Sequence, residues 1–457
     1  MDISASLAQT RLYFESGATR SFSFRKHQLE KLRTALLQHE EEIYDALYAD
    51  LKKSKEEAYV TELGLVLAEI RHVLKHLRQW MKPESVPGGW VNFPSNGKIY
   101  KDPLGVVLLI APWNYPLQLS LMPLIGAIAA GNCVVVKPSE IAPRTARLVD
   151  KMIAAVFEKE FVSVVHGEGE VVIPKLLEDF RFDHIFYTGN GRVGKIIYSQ
   201  AAEKLIPVTL ELGGKSPGIV EADARIAVAA KRIVFGKFLN AGQTCIAPDY
   251  VLTHCSVKDR LVEEMRNTIR LFYKEAAADS YDYSSVINES RFDKLVSYLQ
   301  QGNILFGGAH DRARLYIEPT IMEIKSPEAP VMEEEIFGPI LPVLSFEKRE
   351  EAMAIVNRNA NPLAFYLFTG NKHTEKEWIE SISFGGGCIN NTLVHFMSPE
   401  MPFGGVGNSG IGSYHGKFSF MNFSRRKPVL KTAQWFDPSM RYPPFKGKLR
   451  WFKRLIR

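Results

Sequence analysis

Residues 183–195, DHIFYTGNGRVGK, decide the fold. The apolar run at 184–187 predicts a strand, a Gly-x-Gly-x-x-Gly turn follows, and residues 192–202 predict a helix. Glycines at such a turn let the backbone approach a pyrophosphate, and the helix N-terminus offers free N–H groups to an anion. The turn residues that we predict to bind a dinucleotide are Gly189, Asn190, Gly191, Arg192, Val193 and Gly194. A tight strand-to-helix turn without a ligand is the alternative.

Strands alternate with helices around this turn. Strands are predicted at residues 105–110, 133–136 and 161–166, and helices at 117–130, 142–157 and 172–178. Such alternation predicts an α/β fold with a mostly parallel, doubly wound sheet. A second alternating region extends from about residue 213 to residue 395.

The N-terminal part has a different character. Residues 22–82 are rich in Leu, Ala, Glu and Lys, with apolar residues at helical spacing, and predict two or three helices. Residues 83–103 carry repeated proline and glycine between extended stretches, which indicates an excursion from the sheet in the form of a hairpin.

The composition is that of a folded, water-soluble protein. The length of 457 residues predicts about three domains, and 46% hydrophobic with 24% charged residues excludes disorder as the main state. No apolar run reaches the ~18 to 20 residues of a membrane-spanning helix, and residues 1–15 lack a secretory signal. The four cysteines form neither a metal pattern nor a disulfide framework, so we expect reduced thiols, a cytoplasmic location and no metal.

The positive charge is concentrated in the C-terminal tail. Net charge is +6, and residues 446–457 contain six basic residues and no acidic one. The remaining chain is therefore neutral, and we predict no nucleic-acid partner. On a helix, the tail would place Leu449, Phe452 and Ile456 on one face, which is typical of peripheral contact with an anionic membrane, here at its inner surface. A solvated, frayed end is the alternative.

Two segments offer the groups of nucleophilic catalysis. Small and polar residues flank Cys245 in NAGQTCIAP, and a thiolate in a polar setting is a strong nucleophile. A loop cysteine without a task is the alternative. In APWNYP, which follows a predicted strand, two prolines fix the backbone around Asn114, whose amide could donate a hydrogen bond to a developing oxyanion.

Three charged motifs admit two interpretations each. Lys137 and Glu140, in KPSE, could bind ribose hydroxyls at the carboxyl edge of the sheet, or cap a solvated helix. Glu335 and Phe337 lie in EEEIFGP, which could be a plain acidic patch. Glu211, in ELGGK, stands about 20 residues after the glycine turn, where a ribose-binding acid is expected. A mobile carboxylate in a cleft suits that position equally well.

Together and in this order, the motifs resemble those of the aldehyde dehydrogenase superfamily across nearly the whole chain. The matching segments are residues 112–116, 137–140, 186–194, 211–215, 242–245 and 335–339. The interval between Glu211 and Cys245, 245 − 211 = 34 residues, also fits. The short N-terminus and the stretch PFGGVGNSG at 402–410 are most similar to the class 3 and fatty aldehyde dehydrogenase branch.

The resemblance implies an α/β fold of three parts. These are an atypical, five-stranded Rossmann cofactor domain, a second α/β catalytic domain and a small β oligomerisation element, with a homodimer as the assembly. The implied ranges are 1–82 and 104–210 for NAD(P) binding, 211–397 for catalysis, 83–103 and 398–430 for oligomerisation, and 431–457 for the basic tail.

The resemblance also implies a mechanism. Cys245 would attack the aldehyde, and the Asn114 amide with the Cys245 backbone N–H would meet the oxyanion. After oxidation to a thioester, Glu211 would activate the hydrolytic water. Because acylating relatives typically lack that acid, Glu211 favours hydrolysis. A coenzyme A-acylating dehydrogenase and a non-catalytic structural relative are the alternatives.

The cofactor implied is NAD, with NADP as a second candidate. Lys137 and Glu140 would hold the adenine ribose, Glu335 would hold the nicotinamide ribose with Phe337 packing nearby, and Trp113 would also bind the cofactor. The Glu140 carboxylate opposes a 2′-phosphate.

Arg192 replaces a small or acidic residue of close relatives, and we predict that it points to solvent or to a phosphate. If it reached the adenine ribose, NADP would be favoured. Tyr115, Thr244 and Ile246 would line the entrance for a medium- or long-chain aliphatic or an aromatic aldehyde.

Overall fold

The computed structural model describes residues 3–274 and 277–456. The α-helices are α1 (Ile3–Glu15), α2 (Phe22–Gln38), α3 (Glu40–Leu51), α4 (Lys55–Ala58), α5 (Gly64–Met81), α6 (Pro116–Ala130), α7 (Pro143–Val156), α8 (Gly169–Asp179), α9 (Gly191–Glu203), α10 (Ile226–Phe238), α11 (Lys258–Tyr273), α12 (Glu289–Tyr298), α13 (Arg349–Arg358), α14 (Lys372–Ser381), α15 (Gly416–Asn422) and α16 (Leu449–Ile456). A π-helical turn, Tyr59–Leu63, joins α4 to α5.

The strands form three main sheets and one short pair. They are β1 (Glu84–Pro87), β2 (Ser95–Pro103), β3 (Val106–Ile110), β4 (Cys133–Lys137), β5 (Val162–Val164), β6 (His184–Thr188), β7 (Val208–Glu211), β8 (Pro217–Val220), β9 (Tyr250–His254), β10 (Asn303–Phe306), β11 (His310–Asp311), β12 (Tyr316–Ile317), β13 (Thr320–Glu323), β14 (Ile340–Phe346), β15 (Ala364–Phe368), β16 (Gly386–Ile389), β17 (Gly410–Ile411) and β18 (Ser424–Thr432).

The first sheet has the order β17-β7-β6-β3-β4-β5. Strands β7, β6, β3, β4 and β5 are parallel, as predicted for a five-stranded Rossmann-type sheet, and β17 adds an antiparallel edge. Every residue of β3, β4 and β6 is buried, which explains their continuous apolar sequence. The strand order reverses between β3 and β6, the kind of position where open α/β sheets bind ligands.

The second sheet has the order β10-β13-β14-β9-β8-β15-β16, parallel except for β10. It corresponds to the second alternating region predicted from the sequence. The predicted α/β fold class is therefore confirmed. The domain boundaries stay a prediction, although each of the two large sheets falls mainly within one predicted range.

The third sheet joins distant parts of the chain. Strands β1 and β2 form the predicted hairpin, and β18 pairs antiparallel with β2 from Ser424 opposite Pro103 to Thr432 opposite Ser95. Residues 22–82 contain the three long helices α2, α3 and α5, as predicted, together with the short α4, and α1 precedes them outside the predicted range.

A buried ion pair fixes the junction between the N-terminal helices and the first sheet. Lys53 Nζ lies 2.6 Å from Glu62 Oε1, and both side chains are 0% exposed. Lys53 also donates to the backbone oxygen of Asn114 at 3.0 Å. The other Glu62 oxygen accepts from the N–H groups of Leu117 and Gln118, in the first turn of α6. The pair therefore holds the loop between β3 and α6.

We expect Lys53→Met to lower the free energy of unfolding by about 3 to 5 kcal/mol, because Glu62 would be left as an unpaired buried charge. The matched control is Lys55→Met, two residues away. Lys55 pairs with Glu41, and these side chains are 54% and 72% exposed, so the denaturation midpoint should stay close to that of the unaltered protein. Chemical denaturation measures both variants, and equal midpoints would contradict the account.

Candidate active site

The predicted site residues gather where the strands of the first sheet end. Asn114 follows β3, Glu140 follows β4, Gly189 follows β6 and Glu211 is the last residue of β7. Because the carboxyl ends of parallel strands meet at one edge of a sheet, these groups share one side of the molecule. The loop of Cys245, between α10 and β9, contacts them from the second sheet.

The glycine turn has the geometry of an anion-binding helix start. Strand β6 ends at Thr188 and α9 begins at Gly191, with Asn190 as its N-cap. The Asn190 side chain accepts from the Val193 N–H at 2.9 Å, which leaves the other N–H groups of the first turn for a ligand. Arg192 is exposed, in agreement with the prediction that it points outward.

Close contacts explain why glycine occupies two positions of this turn. At Gly189, a Cβ atom would lie 2.3 Å from the Tyr187 hydroxyl, and its N–H donates to the backbone oxygen of Glu211 at 3.0 Å. At Gly194, a Cβ atom would approach Leu212 to 2.9 Å. The first glycine therefore ties the turn to the strand of Glu211, and the third lets α9 pack on the sheet.

Lys137 and Glu140 form an ion pair at the start of α8. Lys137 is buried, whereas Glu140 is exposed and accepts from the Gly169 N–H at 2.9 Å. Burial acts to raise the pKa of Glu140, but hydrogen bonds from Lys137 and Gly169 outweigh it and hold that pKa below its usual value. Glu140 is therefore a carboxylate at neutral pH, able to accept from hydroxyl groups.

Trp113 contacts Phe337, which lies two residues after Glu335. The rings of Trp113 and Phe337 meet edge to face, with centroids 5.3 Å apart. The Glu335 carboxylate lies directly over Gly213, where a Cβ atom would be 1.9 Å from Oε2. Burial, and then the neighbouring Asp249, raise the pKa of Glu335 to about 8. The Glu335 side chain therefore lies against segment 211–215, which contains Glu211.

The segment of Glu335 is held by buried charges that the sequence did not reveal. Lys215 donates to Asp249 at 2.5 Å and to the backbone oxygen of Glu334 at 2.9 Å. The second Asp249 oxygen accepts from the Ile336 N–H at 3.0 Å. The backbone on both sides of Glu335 is therefore fixed from the second sheet.

The loop of Cys245 begins in a strained conformation. Asn240 and Ala241 have φ values of 52° and 51°, which is unusual for residues with a Cβ atom. Gly242 follows with φ 73°. The buried Glu57 carboxylate accepts from the Asn240 N–H at 2.9 Å and so supports this turn. Cys245 is half-buried at the end of it.

The Asn114 amide is fixed against the same loop. Its Nδ2 donates to the backbone oxygen of Gln243 at 3.0 Å. The backbone oxygen of Asn114 accepts from Lys53 at 3.0 Å and from Asn240 at 2.9 Å. A side-chain amide has two N–H donors, so the second one remains for a ligand beside Cys245.

The Cys245 thiol lies within the fields of two carboxyl groups. Burial raises the pKa of Cys245, and the Glu335 and Glu211 carboxyls raise it further. Hydrogen bonds from the backbone N–H groups of Cys245 and Ile246 act in the opposite direction. The same N–H groups are therefore placed to stabilise negative charge on or beside the sulfur.

Glu211 is a buried carboxyl with open acceptors. It is 2% exposed, and neither oxygen has a hydrogen-bond partner within the described ranges. Burial raises its pKa well above the usual value. The hydroxyl of Thr188, directly opposite on β6, is also buried and unpaired among those residues. Buried polar groups normally have partners, so this spot is suited to a polar ligand or water.

The three predicted substrate residues lie inside the protein. Tyr115, Thr244 and Ile246 are 7%, 7% and 3% exposed. The Tyr115 hydroxyl is 2.5 Å from the Thr244 hydroxyl, and its ring lies over Lys53 Nζ at 4.0 Å. They surround the Cys245 loop rather than an open entrance, and their contact with substrate stays a prediction.

The positioning residues escaped the sequence analysis for a common reason. Lys53, Glu57, Glu62, Lys215 and Asp249 are charged residues that the fold buries. In a sequence, a charged residue within a helical or loop pattern indicates a solvent-facing position. Of these five residues, only Lys215 lies within one of the segments that match the family motifs, ELGGK at 211–215.

Comparison with known proteins agrees with this geometry. A sequence model described as the Aldehyde dehydrogenase family matches residues 1–429. The chain is 45% identical to the 4,4′-diaponeurosporen-aldehyde dehydrogenase of Staphylococcus aureus, over 98% of both chains. It is 42% identical to the dimeric NADP-preferring aldehyde dehydrogenase of Canis lupus familiaris, over 98% of this chain and 99% of that one.

One solved structure and one further relative match nearly the whole chain. The substrate-bound state of Staphylococcus aureus AldH superposes with a TM-score of 0.98, at 43% identity and full coverage of both chains. Aldehyde dehydrogenase family 3 member A2 of Pongo abelii is 42% identical over 97% of this chain and 92% of its own, which confirms the predicted branch. The chain belongs to the aldehyde dehydrogenase family, and its reaction is the oxidation of an aldehyde with reduction of NAD(P).

Proposed function

We propose that the protein oxidises its aldehyde to the free carboxylic acid through a thioester on Cys245. The observation that carries this proposal is that two functional side chains, Asn114 and Glu211, act on Cys245 or on its loop. The Asn114 amide is bonded to the loop of Cys245, and the buried Glu211 carboxyl acts on the thiol electrostatically. A nucleophile, an oxyanion donor and a base are the parts that such a reaction needs.

The first step is attack of Cys245 on the aldehyde carbon. Because the pKa of the free thiol is raised, the thiol proton must pass to water as the carbon–sulfur bond forms and the carbonyl π bond breaks to give the oxyanion. The developing oxyanion lies between the free N–H of the Asn114 amide and the backbone N–H of Cys245. Loss of one such donor typically raises the barrier by about 3 to 4 kcal/mol.

The cofactor-binding residues fit a dinucleotide. Lys137 and Glu140 would hold the adenine ribose, the glycine turn the pyrophosphate, and Glu335 the nicotinamide ribose beside Trp113 and Phe337. The Thr188 hydroxyl, which is buried and unpaired among the described residues, offers the ligand a hydrogen-bonding group, and Gly213 lets the Glu335 carboxylate approach the same edge of the sheet. When bound, NAD(P) accepts the hydride that leaves the former aldehyde carbon.

The second step is hydrolysis of the thioester, and Glu211 is the base. Its two oxygens are buried and unpaired in the described structure, so a water between Glu211 and the thioester has an acceptor ready. Because Glu211 gains its reactivity from burial, its carboxylate form increases with pH across an elevated range. Coenzyme A acylation, the runner-up reaction, would not require this group.

We expect Glu211→Gln to retain a first-turnover burst of NADH but to lose steady-state turnover by about 10² to 10⁴-fold, because the base is gone. Intact-mass spectrometry should show the acyl group on Cys245. In the unaltered protein kcat should rise with pH, because the raised pKa keeps the base protonated at low pH, and the variant should lose this rise.

The matched control is Glu69→Gln, since Glu69 is also buried, with a pKa raised by burial to about 7, and accepts a backbone N–H from Gly416. It should retain steady-state turnover without accumulated acyl-enzyme. Full steady-state turnover in Glu211→Gln would refute the assigned role.

We propose NAD as the preferred cofactor and a medium- or long-chain aliphatic or an aromatic aldehyde as the substrate. Support for NAD comes from the ionised Glu140, which would repel a 2′-phosphate. The NADP-preferring name of the canine relative points the other way. Support for the substrate comes from the diaponeurosporen-aldehyde in the name of the staphylococcal relative and from the aromatic and apolar residues that flank Cys245.

In an aldehyde series of increasing chain length, we expect kcat/KM to rise with length and to be higher with NAD than with NADP. Glu140→Gln should lower the ratio of kcat/KM with NAD to kcat/KM with NADP, because the repulsion between the carboxylate and the 2′-phosphate is removed. Production of NADH and NADPH measures both effects, with Cys245→Ala as the inactive control. A preference for NADP that Glu140→Gln leaves unchanged would contradict the cofactor assignment.

We further propose a homodimer whose contact includes β18. This strand lies at the edge of the third sheet, and its outer edge has no partner strand within the described chain. Val429 and Leu430 on it are 44% and 47% exposed. An exposed, partly apolar edge strand is suited to pairing with another chain. The word dimeric in the name of the canine relative supports the same assembly.

The C-terminal tail supports a proposal of peripheral contact with an anionic membrane from the cytoplasmic side. Residues 449–456 form helix α16, and residue 457 of the predicted tail lies outside the described residues. Leu449, Trp451 and Ile456 are 62%, 59% and 72% exposed, whereas Phe452 packs against Phe445. No helix within residues 3–274 and 277–456 has the length and apolarity that crossing a bilayer requires.

A second exposed element lies beside the tail. Arg441 donates to the backbone oxygens of Val91 and Phe93 at 3.1 and 2.6 Å, which holds the β1–β2 link against the chain that leads to α16. Trp90 in that link is 88% exposed, and Trp435 is 75% exposed. Aromatic side chains next to basic groups are typical of membrane-surface contacts.

We expect the full-length protein to co-sediment with vesicles that contain phosphatidylglycerol, and a form that lacks residues 446–457 to bind several-fold less. Binding should weaken with added salt, because the basic groups are screened. Vesicles of phosphatidylcholine alone are the control. Equal binding of both forms to the anionic vesicles would rule out the tail as the contact.

A further inference from the structure

Two histidines and a glutamate meet on the surface, outside the residues assigned to the active site. The ligating atoms of His72, His76 and Glu400 all lie within 4.8 Å of one another, and His72 Nε2 is 3.8 Å from Glu400 Oε1. We propose that these three side chains form a binding site for one divalent transition-metal ion of the Zn²⁺ type. The site is independent of the Cys245 chemistry and extends beyond the proposed function.

The helix brings the two histidines together. His72 and His76 are four residues apart on α5, so their side chains project from the same face one turn apart. Their ring centroids are 4.7 Å apart, and His76 stacks on the buried Trp80 at 5.8 Å. A ring held by stacking keeps its ligating nitrogen in place without a further hydrogen bond. Helical His-x-x-x-His spacing is the arrangement of many two-histidine zinc sites.

The third ligand comes from a distant part of the chain. Glu400 follows the short helical turn Val394–Met397 and lies 324 residues after His76 (400 − 76). Gly416, at the start of α15, lies directly beside the site, since a Cβ atom there would be 3.2 Å from His72 Nε2. The site is therefore a product of tertiary structure, which explains why the sequence analysis, with its search for close-spaced cysteines, predicted no metal.

The donor set and its dimensions suit zinc. Two imidazole nitrogens with one carboxylate oxygen are a common three-ligand set, and a water completes the tetrahedron. Bond lengths of about 2.1 Å separate two ligands of a tetrahedron by about 3.4 Å. The observed 3.8 Å between His72 and Glu400 closes to this value by a small rotation, because the Glu400 side chain is 75% exposed.

The charge balance favours a cation that binds neutral imidazole. An ion of the Zn²⁺ type binds the neutral form of imidazole, through the lone pair of a ring nitrogen. The charged neighbours that act on His72 are Glu400, which attracts a cation, and Lys75, which opposes one.

An ion at this position would join two separate parts of the fold. It would connect α5 of the N-terminal region to the segment that leads from Glu400 to Phe403. Phe403 and Tyr414 exchange two backbone hydrogen bonds, of 3.0 and 2.8 Å, and Tyr414 lies within the electrostatic reach of Glu211. The bound ion would therefore restrain a segment that borders the catalytic carboxyl.

The test is a titration of the full-length protein with Co²⁺, followed by displacement with Zn²⁺. We expect one equivalent to bind with visible d–d absorption and without the near-ultraviolet band of a cobalt thiolate. The absence of that band distinguishes this site from binding at Cys245, Cys255 or Cys388. His72→Ala and His76→Ala should each weaken binding by about tenfold or more, since each removes a ligand.

Two further variants keep the test decisive. Glu400→Gln should weaken binding, whereas Glu400→His should retain it, because histidine supplies a replacement nitrogen; both changes are at an exposed position and spare the fold. His166→Ala is the matched control, since His166 forms an exposed pair with Asp150 at 2.9 Å, and it should bind like the unaltered protein. Equal binding in all variants, a dominant thiolate band, or identical behaviour of Glu400→Gln and Glu400→His would overturn the proposal.

Discussion

Lys53 and Glu62 are paired where water is excluded from both side chains, and the catalytic loops are attached to that pair. Two charges in such a place cost several kcal/mol of desolvation each, which their attraction offsets only with good geometry and additional hydrogen bonds. Here those additional bonds go to the backbone of Asn114 and to the first turn of α6. The pair thus holds the loop between β3 and α6 in place rather than stabilising a helix surface.

A second buried carboxylate does the same for the opposite loop. Glu57 holds the N–H of Asn240, which has a left-handed conformation that few residues with a Cβ atom adopt. Asn240 in turn donates to the backbone of Asn114. The nucleophile loop and the oxyanion donor are therefore braced against each other before substrate arrives, and preorganised donors of this kind need no rearrangement as charge develops.

Glu211 differs from these structural carboxyls because it has been left without a partner. Glu57 and Glu62 each accept at least two hydrogen bonds, whereas neither oxygen of Glu211 has one among the described residues. This difference separates a carboxyl that can act as a base from carboxyls that hold a loop in place. Burial raises the pKa of all three carboxyls, but Lys53 and hydrogen bonds act against it only at Glu57 and Glu62. A carboxyl paired like Glu62 would be a poor base, since its lone pairs would be occupied.

The sequence predicted the parts of the structure that depend on local patterns. The strand–turn–helix around Gly189, the β1–β2 hairpin and the parallel order of the first sheet follow from periodicity and from glycine and proline. The roles of Cys245 and Glu211 came from the resemblance of ordered motifs, because spacing alone left Glu211 open between ribose binding and catalysis. The contacts of Lys53 with Asn114 and of His72 with Glu400 were beyond reach, since they depend on packing between distant segments.

The central claim is that Cys245, served by Glu211, delivers a free acid. The most direct measurement is the identity of the product when the protein, NAD and an aldehyde react in the presence of coenzyme A, followed by mass spectrometry. The account predicts the carboxylic acid as the product, at a rate that coenzyme A does not change. An acyl-coenzyme A product, or turnover that depends on coenzyme A, would contradict it.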